Sequence, residues 1–136
     1  MNKSDIKILL VDDEPDILEI VGYNLISEGY QITTATNGQE AIKSAKKNNP
    51  HLILLDIMMP EMDGIEACEK IRELPNQNDT IITFLTARGE DYSQVAGFDA
   101  GADDYIAKPI KPPKAEIVTL RLKLNIKTKA NITISK

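Results

Sequence analysis

The chain alternates short β-prone apolar runs with stretches whose apolar positions recur at three- and four-residue spacing. Residues 6–11 form the first run, which stops at Asp12-Asp13-Glu14 and reads as a strand. Pro15 suits the first turn of a helix. Ile17, Leu18, Val21 and Leu25 then mark one helical face, and Gly29 supplies the stop. Residues 30–36 are β-rich with weak alternation and predict a second strand. Asn37-Gly38-Gln39-Glu40 has the form of a capping box ahead of a helix with Ala41, Ile42 and Ala45 inward, and Asn48-Asn49-Pro50 ends it. In the stretch 51–56 the run from Leu52 to Leu55 is unbroken, which predicts a strand covered on both faces. A carboxylate, Asp56, stands where that run stops, and Pro60, Asp63 and Gly64 turn the chain.

Asp63 is placed to cap a third helix, with Glu66 three residues on and Ile65, Cys68 and Ile71 as its stripe. Residues 74–79 form a polar loop and 80–86 a fourth strand. A fourth helix is expected from Asp91, with Tyr92, Val95 and Phe98 inward and Gly101 as its stop. Residues 103–107 make a short fifth strand before Lys108-Pro109. Strands alternating with helices predict βα repeats and a parallel sheet. Five strands are too few for a closed barrel, which needs about 250 residues, so the expectation is a small doubly wound α/β sheet.

Composition narrows the function classes. The chain has 136 residues, 42% hydrophobic and 27% charged, which suits one soluble domain. No apolar run approaches the roughly 20 residues of a membrane span, and the first residues lack an apolar signal core, so a cytoplasmic protein is expected. One cysteine, Cys68, and one histidine, His51, exclude a disulfide framework and a Cys/His zinc site. A net charge of −5 argues against direct nucleic-acid binding, although Arg121, Lys123, Lys127, Lys129 and Lys136 follow the last acid, Glu116.

The chemistry gathers at the strand ends. In a doubly wound sheet with strand order 2-1-3-4-5, strands one, three, four and five are neighbours, and ligands bind beyond their carboxyl ends. Those ends carry Asp12 and Asp13, Asp56, Thr86 and Lys108. Taken singly, each has an ordinary explanation: a helix cap, a turn residue, a strand-end hydroxyl, a surface lysine. Together they bring three carboxylates, a hydroxyl and an ammonium into one crevice. Three clustered carboxylates repel unless a cation is present, and an all-oxygen ligand set favours a hard ion such as Mg²⁺, completed by waters and phosphate oxygens. A carboxylate beside Mg²⁺ and a lysine can act as nucleophile towards a phosphoryl group.

Val11-Asp12-Asp13-Glu14, the run from Leu55 to Gly64, Leu85-Thr86-Ala87, and the run from Gly101 to Pro109 together resemble the receiver domain of bacterial two-component response regulators. The resemblance covers about residues 5–112 and implies the flavodoxin-like order 2-1-3-4-5. It implies that Asp56 is the phosphoacceptor and that Asp12, Asp13, Asp56 and the backbone carbonyl of Met58 hold Mg²⁺. It further implies that Lys108 pairs with the phosphoryl group, that Thr86 and Tyr105 are the switch pair, and that the Lys108–Pro109 bond is cis. The donor would be a sensor histidine kinase, and the output surface would lie on helix 4, strand 5 and helix 5, a face through which such proteins also form homodimers. Gly101-Ala102-Asp103-Asp104-Tyr105 looks most like receivers that precede a winged-helix DNA-binding domain and control transcription. Residues 1–124 are then expected to be the receiver and 125–136 a short basic tail, with no output domain in this chain.

Residues 115–127 depart from the family. Val118, Leu120, Leu122, Leu124 and Ile126 alternate with polar residues as in a strand, yet Ala115, Val118 and Leu122 also make a helical stripe. Other functions fit less well. A Mg²⁺-dependent phosphohydrolase with an aspartyl nucleophile, as in the haloacid dehalogenase-like group, would carry a second acid where this chain has Met58. A flavodoxin-like cofactor binder needs a phosphate cradle where Asp12-Asp13-Glu14 would repel one. Nothing favours a receiver that serves only as an unphosphorylated docking module. The expected protein is a switch that catalyses its own phosphorylation and dephosphorylation, not a turnover enzyme.

Overall fold

The computed structural model describes residues 2–77, 79–86 and 99–108. Five strands form one parallel sheet: β1 (Lys7–Val11), β2 (Gln31–Ala35), β3 (Leu52–Asp56), β4 (Ile81–Thr86) and β5 (Asp104–Ala107), in the order β2-β1-β3-β4-β5. Three helices connect the first four strands: α1 (Pro15–Ser27), α2 (Gly38–Asn48) and α3 (Gly64–Glu73). The expected topology and order are observed, with several strands shorter at their ends. Tyr30 closes the turn after α1, its N–H donating to the Leu25 carbonyl, and Thr80 turns its hydroxyl towards the Pro50 carbonyl. The expected fourth helix, from Asp91 to the stop at Gly101, lies outside the described residues up to 98, and at its end Asp99 is helical and Ala100 and Gly101 turn. Pro109, the Lys108–Pro109 bond, residues 115–127 and the tail also lie outside them.

Burial on both faces explains the apolar monotony of β3. Ile53 and Leu55 join Leu9, Val11, Ile82 and Phe84 in a core closed by Ala41 and Ala45 of α2 and Ala67, Cys68 and Ile71 of α3. Leu52 and Leu54 point the other way, with Ile8, Leu10, Ile81 and Leu85, against Val21 and Leu25 of α1. In α3, Ala67 is fully buried and the expected core residue Ile65 only half-buried. β2 reads weakly because it is, among the described residues, an edge strand with three of its five residues exposed.

The helix starts follow local chemistry. Asn37 caps α2 by accepting from the Glu40 N–H at 2.9 Å, and Asp63 caps α3 by accepting from the Glu66 N–H at 2.8 Å. The reciprocal half of the expected box at Asn37 goes elsewhere. Glu40 accepts instead from the Thr36 N–H and hydroxyl, which stand ahead of the cap, and from the Asn37 side-chain amide. Asn37→Ala is expected to cost about 1 kcal/mol, read as a lower urea midpoint at unchanged slope.

Candidate functional site

The strand register assembles the site. Val11 of β1 pairs with Leu55 of β3, so the next residues, Asp12 and Asp56, end up side by side. Asp56 pairs with Leu85 of β4, and Thr86 pairs with Ala107 of β5, which puts Thr86 one step beyond Asp56 and Lys108 one step beyond Thr86. The Lys108 N–H donates to the Thr86 carbonyl at 2.7 Å and ties the end of β5 to β4.

Asp12, Asp13 and Asp56 each bring a carboxylate oxygen within 4.8 Å of the other two. Asp12 is 0% exposed and Asp56 3%, while Asp13 faces solvent. The Lys108 ammonium lies 2.9 Å from Asp12 Oδ2, 3.2 Å from Asp56 Oδ1 and 3.4 Å from Glu14 Oε1. Asp12 Oδ1 accepts from the Glu14 N–H at 2.9 Å, whereas Asp12 Oδ2, although buried beside the ammonium, accepts no hydrogen bond.

These contacts set the electrostatics. Burial, followed by the Asp12 charge, pushes the Asp56 carboxyl up to about 7 against the pull of Lys108. Burial would lower the Lys108 ammonium, but its contacts with Asp12 and Asp56 reverse this and hold it above the usual lysine range. Two or three carboxylates facing one ammonium leave excess negative charge in a buried place, which favours a further cation.

The structure therefore brings together Asp12, Asp13, Asp56 and Lys108, with Thr86 buried next to them. Met58 has its side chain turned out, 59% exposed. Tyr105 sits on β5 with its ring 5.5 Å from that of Phe84, beneath the site. Two contributors were not evident from sequence. Glu14 reads only as part of the acidic run that ends the first strand, yet its carboxylate faces Lys108. Gly64 reads as a turn residue, yet it lets α3 begin against the end of β3. Its N–H donates to the Ile57 carbonyl at 2.8 Å, and a Cβ there would overlap the Asp56 carbonyl oxygen.

Known proteins resemble this chain. Residues 8–119 match the response regulator receiver domain. The chain is 46% identical over 112 residues to the alkaline phosphatase synthesis transcriptional regulatory protein PhoP of Bacillus subtilis, covering 82% of this chain and 45% of that protein. It is 44% identical over 128 residues to the transcriptional regulatory protein SrrA of Staphylococcus aureus, covering 94% and 51%. The chain thus spans about half the length of the curated relatives it matches. Among solved structures, the chemotaxis response regulator CheY4 of Vibrio cholerae superposes with a TM-score of 0.81 at 31% identity, over 86% of this chain and 98% of that one. NtrX from Brucella abortus gives 0.86 at 27% identity, over 96% and 29%. Strand order, the carboxylate cluster beside a lysine, and the match across residues 8–119 lead to one assignment: the chain belongs to the response regulator receiver family.

Proposed function

We propose that this chain is the phosphorylation-controlled switch of a cytoplasmic two-component phosphorelay, taking a phosphoryl group onto Asp56 from a sensor histidine kinase. The observation that carries the reading is Asp56 itself: a buried carboxylate at a strand end, flanked by Asp12, within 3.2 Å of the Lys108 ammonium. Among the described residues no helix is long and apolar enough to cross a membrane.

The residues fit Mg²⁺. The ligand set is all carboxylate oxygen, and the buried Asp12 Oδ2 accepts no hydrogen bond. Asp12, Asp13 and Asp56 would hold the ion, with the Met58 backbone carbonyl as a further ligand. When bound, Mg²⁺ supplies charge neutralisation at the carboxylates and at the incoming phosphoryl oxygens. The chain does the rest. Asp56 attacks phosphorus with a carboxylate oxygen, and the bond to the donor breaks with its electron pair leaving on the donor. Lys108 gives up an ion pair with Asp56 and pairs with the phosphoryl oxygens instead. Thr86 offers its hydroxyl to the same oxygens, and Tyr105, behind it on β5, carries the change to the β5-containing face.

Residues 1–124 are the receiver in this reading and 125–136 a basic tail. The named relatives are transcriptional regulatory proteins, which supports control of transcription as the output of the whole protein. A homodimer through the β5-containing face is part of the same proposal. A hydrolase reading finds no support at Met58, whose thioether cannot exchange a proton.

The test is intact mass after incubation with Mg²⁺ and acetyl phosphate. One hydroxylamine-labile phosphoryl group is expected on the wild type, and none on Asp56→Asn or after EDTA. Equal labelling of Asp56→Asn, or multiple-turnover release of phosphate from phosphomonoesters, would overturn the proposal.

A further inference from the structure

We propose that Arg72 is a positioning residue for Lys108: its guanidinium pins the entry to β5 and so sets where the lysine meets Asp12 and Asp56. This rests on the role given to Lys108 above. β5 has four residues and, among the described residues, lies at the edge of the sheet and pairs only with β4. Short edge strands are weakly held, and a one-residue slip displaces the chain by about 3.3 Å and turns each side chain to the other face. Such a slip would remove Lys108 from both carboxylates.

The far end of β5 is fixed by Arg72, from the last turn of α3. All five N–H donors of its guanidinium are used. Nε and Nη2 donate to the Gly101 carbonyl at 3.0 and 2.8 Å, and Nη1 donates to the carbonyls of Gln77 and Thr80 at 2.8 and 2.6 Å. Nη2 also donates to Asp103 Oδ2 at 2.9 Å. That oxygen accepts from the Ile82 N–H at 2.9 Å, while the Asp103 N–H donates to the Ile82 carbonyl at 2.8 Å. Asp103 thus clips the start of β5 onto β4, and Arg72 locks the clip to α3 and to the loop before β4. Gly101 is shaped to fit: its φ is +107°, and a Cβ there would meet Arg72 Cγ at 2.9 Å. The carboxylates stand on or beside β1 and β3, to which none of the five Arg72 hydrogen bonds goes. It can therefore affect the lysine without affecting the acids.

The experiment measures the initial rate of phosphoryl uptake from acetyl phosphate at saturating Mg²⁺, and Mg²⁺ affinity separately by thermal-shift titration. The variants are Arg72→Gln, Asp103→Asn, Lys108→Ala and the Arg72→Gln/Lys108→Ala double. Arg72→Gln should slow uptake about tenfold, since sub-ångström misplacement of a catalytic group costs that much or more. Its Mg²⁺ affinity should stay within about twofold of wild type, and in the Lys108→Ala background it should slow uptake by less than about twofold. Asp103→Asn keeps an acceptor for Ile82 but loses the ion pair, and should fall between wild type and Arg72→Gln. It carries the test if Arg72→Gln does not fold.

A folded Arg72→Gln or Asp103→Asn with wild-type rates overturns the inference. So does loss of Mg²⁺ affinity in step with rate, or equal slowing in the single and double backgrounds. If Lys108→Ala itself takes up phosphoryl at wild-type speed, the role of Lys108 fails and the inference falls with it. If Lys108→Ala is slow and Arg72→Gln is not, only the inference fails.

Discussion

Gly64→Ala is expected to lower the midpoint of thermal unfolding by roughly 10 °C, as an overpacked contact of about 3 kcal/mol would in a domain of this size. The reason lies in what the new methyl group would strike. It would overlap the Asp56 carbonyl oxygen and lie 2.9 Å from Ile57 Cα. Both are backbone atoms and cannot rotate away, so either α3 or the end of β3 must move. α3 contributes Ala67, Cys68 and Ile71 to the same core as Ile53 and Leu55, so moving it opens that packing. Moving the end of β3 displaces Asp56. Circular dichroism melts would read the first effect and the rate of phosphoryl uptake the second. An unchanged midpoint would mean that α3 slides outward at little cost, contrary to the close approach described.

The second large effect is a pH dependence set by Asp56. In the metal-free protein, burial and Asp12 raise this carboxyl to about 7. In the unfolded chain it titrates in the ordinary range near pH 4. Between about pH 4 and 7 the folded state therefore holds a proton that unfolding releases, and stability falls as pH rises through that window. The linkage is at most on the order of 4 kcal/mol. Under the proposed function Mg²⁺ would replace the proton, so its stabilising effect should be larger at pH 8 than at pH 5. Asp56→Asn removes the titrating group, flattens the metal-free profile and raises the melting temperature at pH 8. Melting curves across pH 4–8, with EDTA or with Mg²⁺, would check all three. A metal-free profile that is flat, or that rises across the window, would contradict the electrostatics of the site.

Much of this architecture is legible in the sequence because single residues carry unambiguous physical demands. Leu52 to Leu55 can be satisfied only between two layers of cover, and the register that this strand imposes on β1 and β4 gathers Asp12, Asp56 and Thr86. Asn37 and Asp63 announce helix starts because each has a backbone amide three residues on to bind. Other features depend on distances that spacing does not report. Arg72 carries no signal in the sequence, since the carbonyls of Gln77, Thr80 and Gly101 converge on it only after folding. Gly64 reads as a turn former, whereas the demand on it is close approach. The outward face of α1 is less polar than its pattern suggests, with Ile20, Tyr23 and Ile26 exposed beyond the inward Val21 and Leu25.

The two layers of cover over β3 have a consequence for how the domain breathes. Asp56 ends a strand whose residues are shared between both half-cores, so its amides open only when the whole domain unfolds. Lys108 follows a four-residue strand that lies, among the described residues, at the rim of the sheet, where opening requires far less. Hydrogen exchange should therefore be slowest along β3 and β1 and markedly faster along β5. On warming, the pocket would shed its fixed positive charge while the Asp56 carboxylate remained in place. The acidic pole is anchored to the most persistent part of the molecule and the basic pole to one of its most readily released parts.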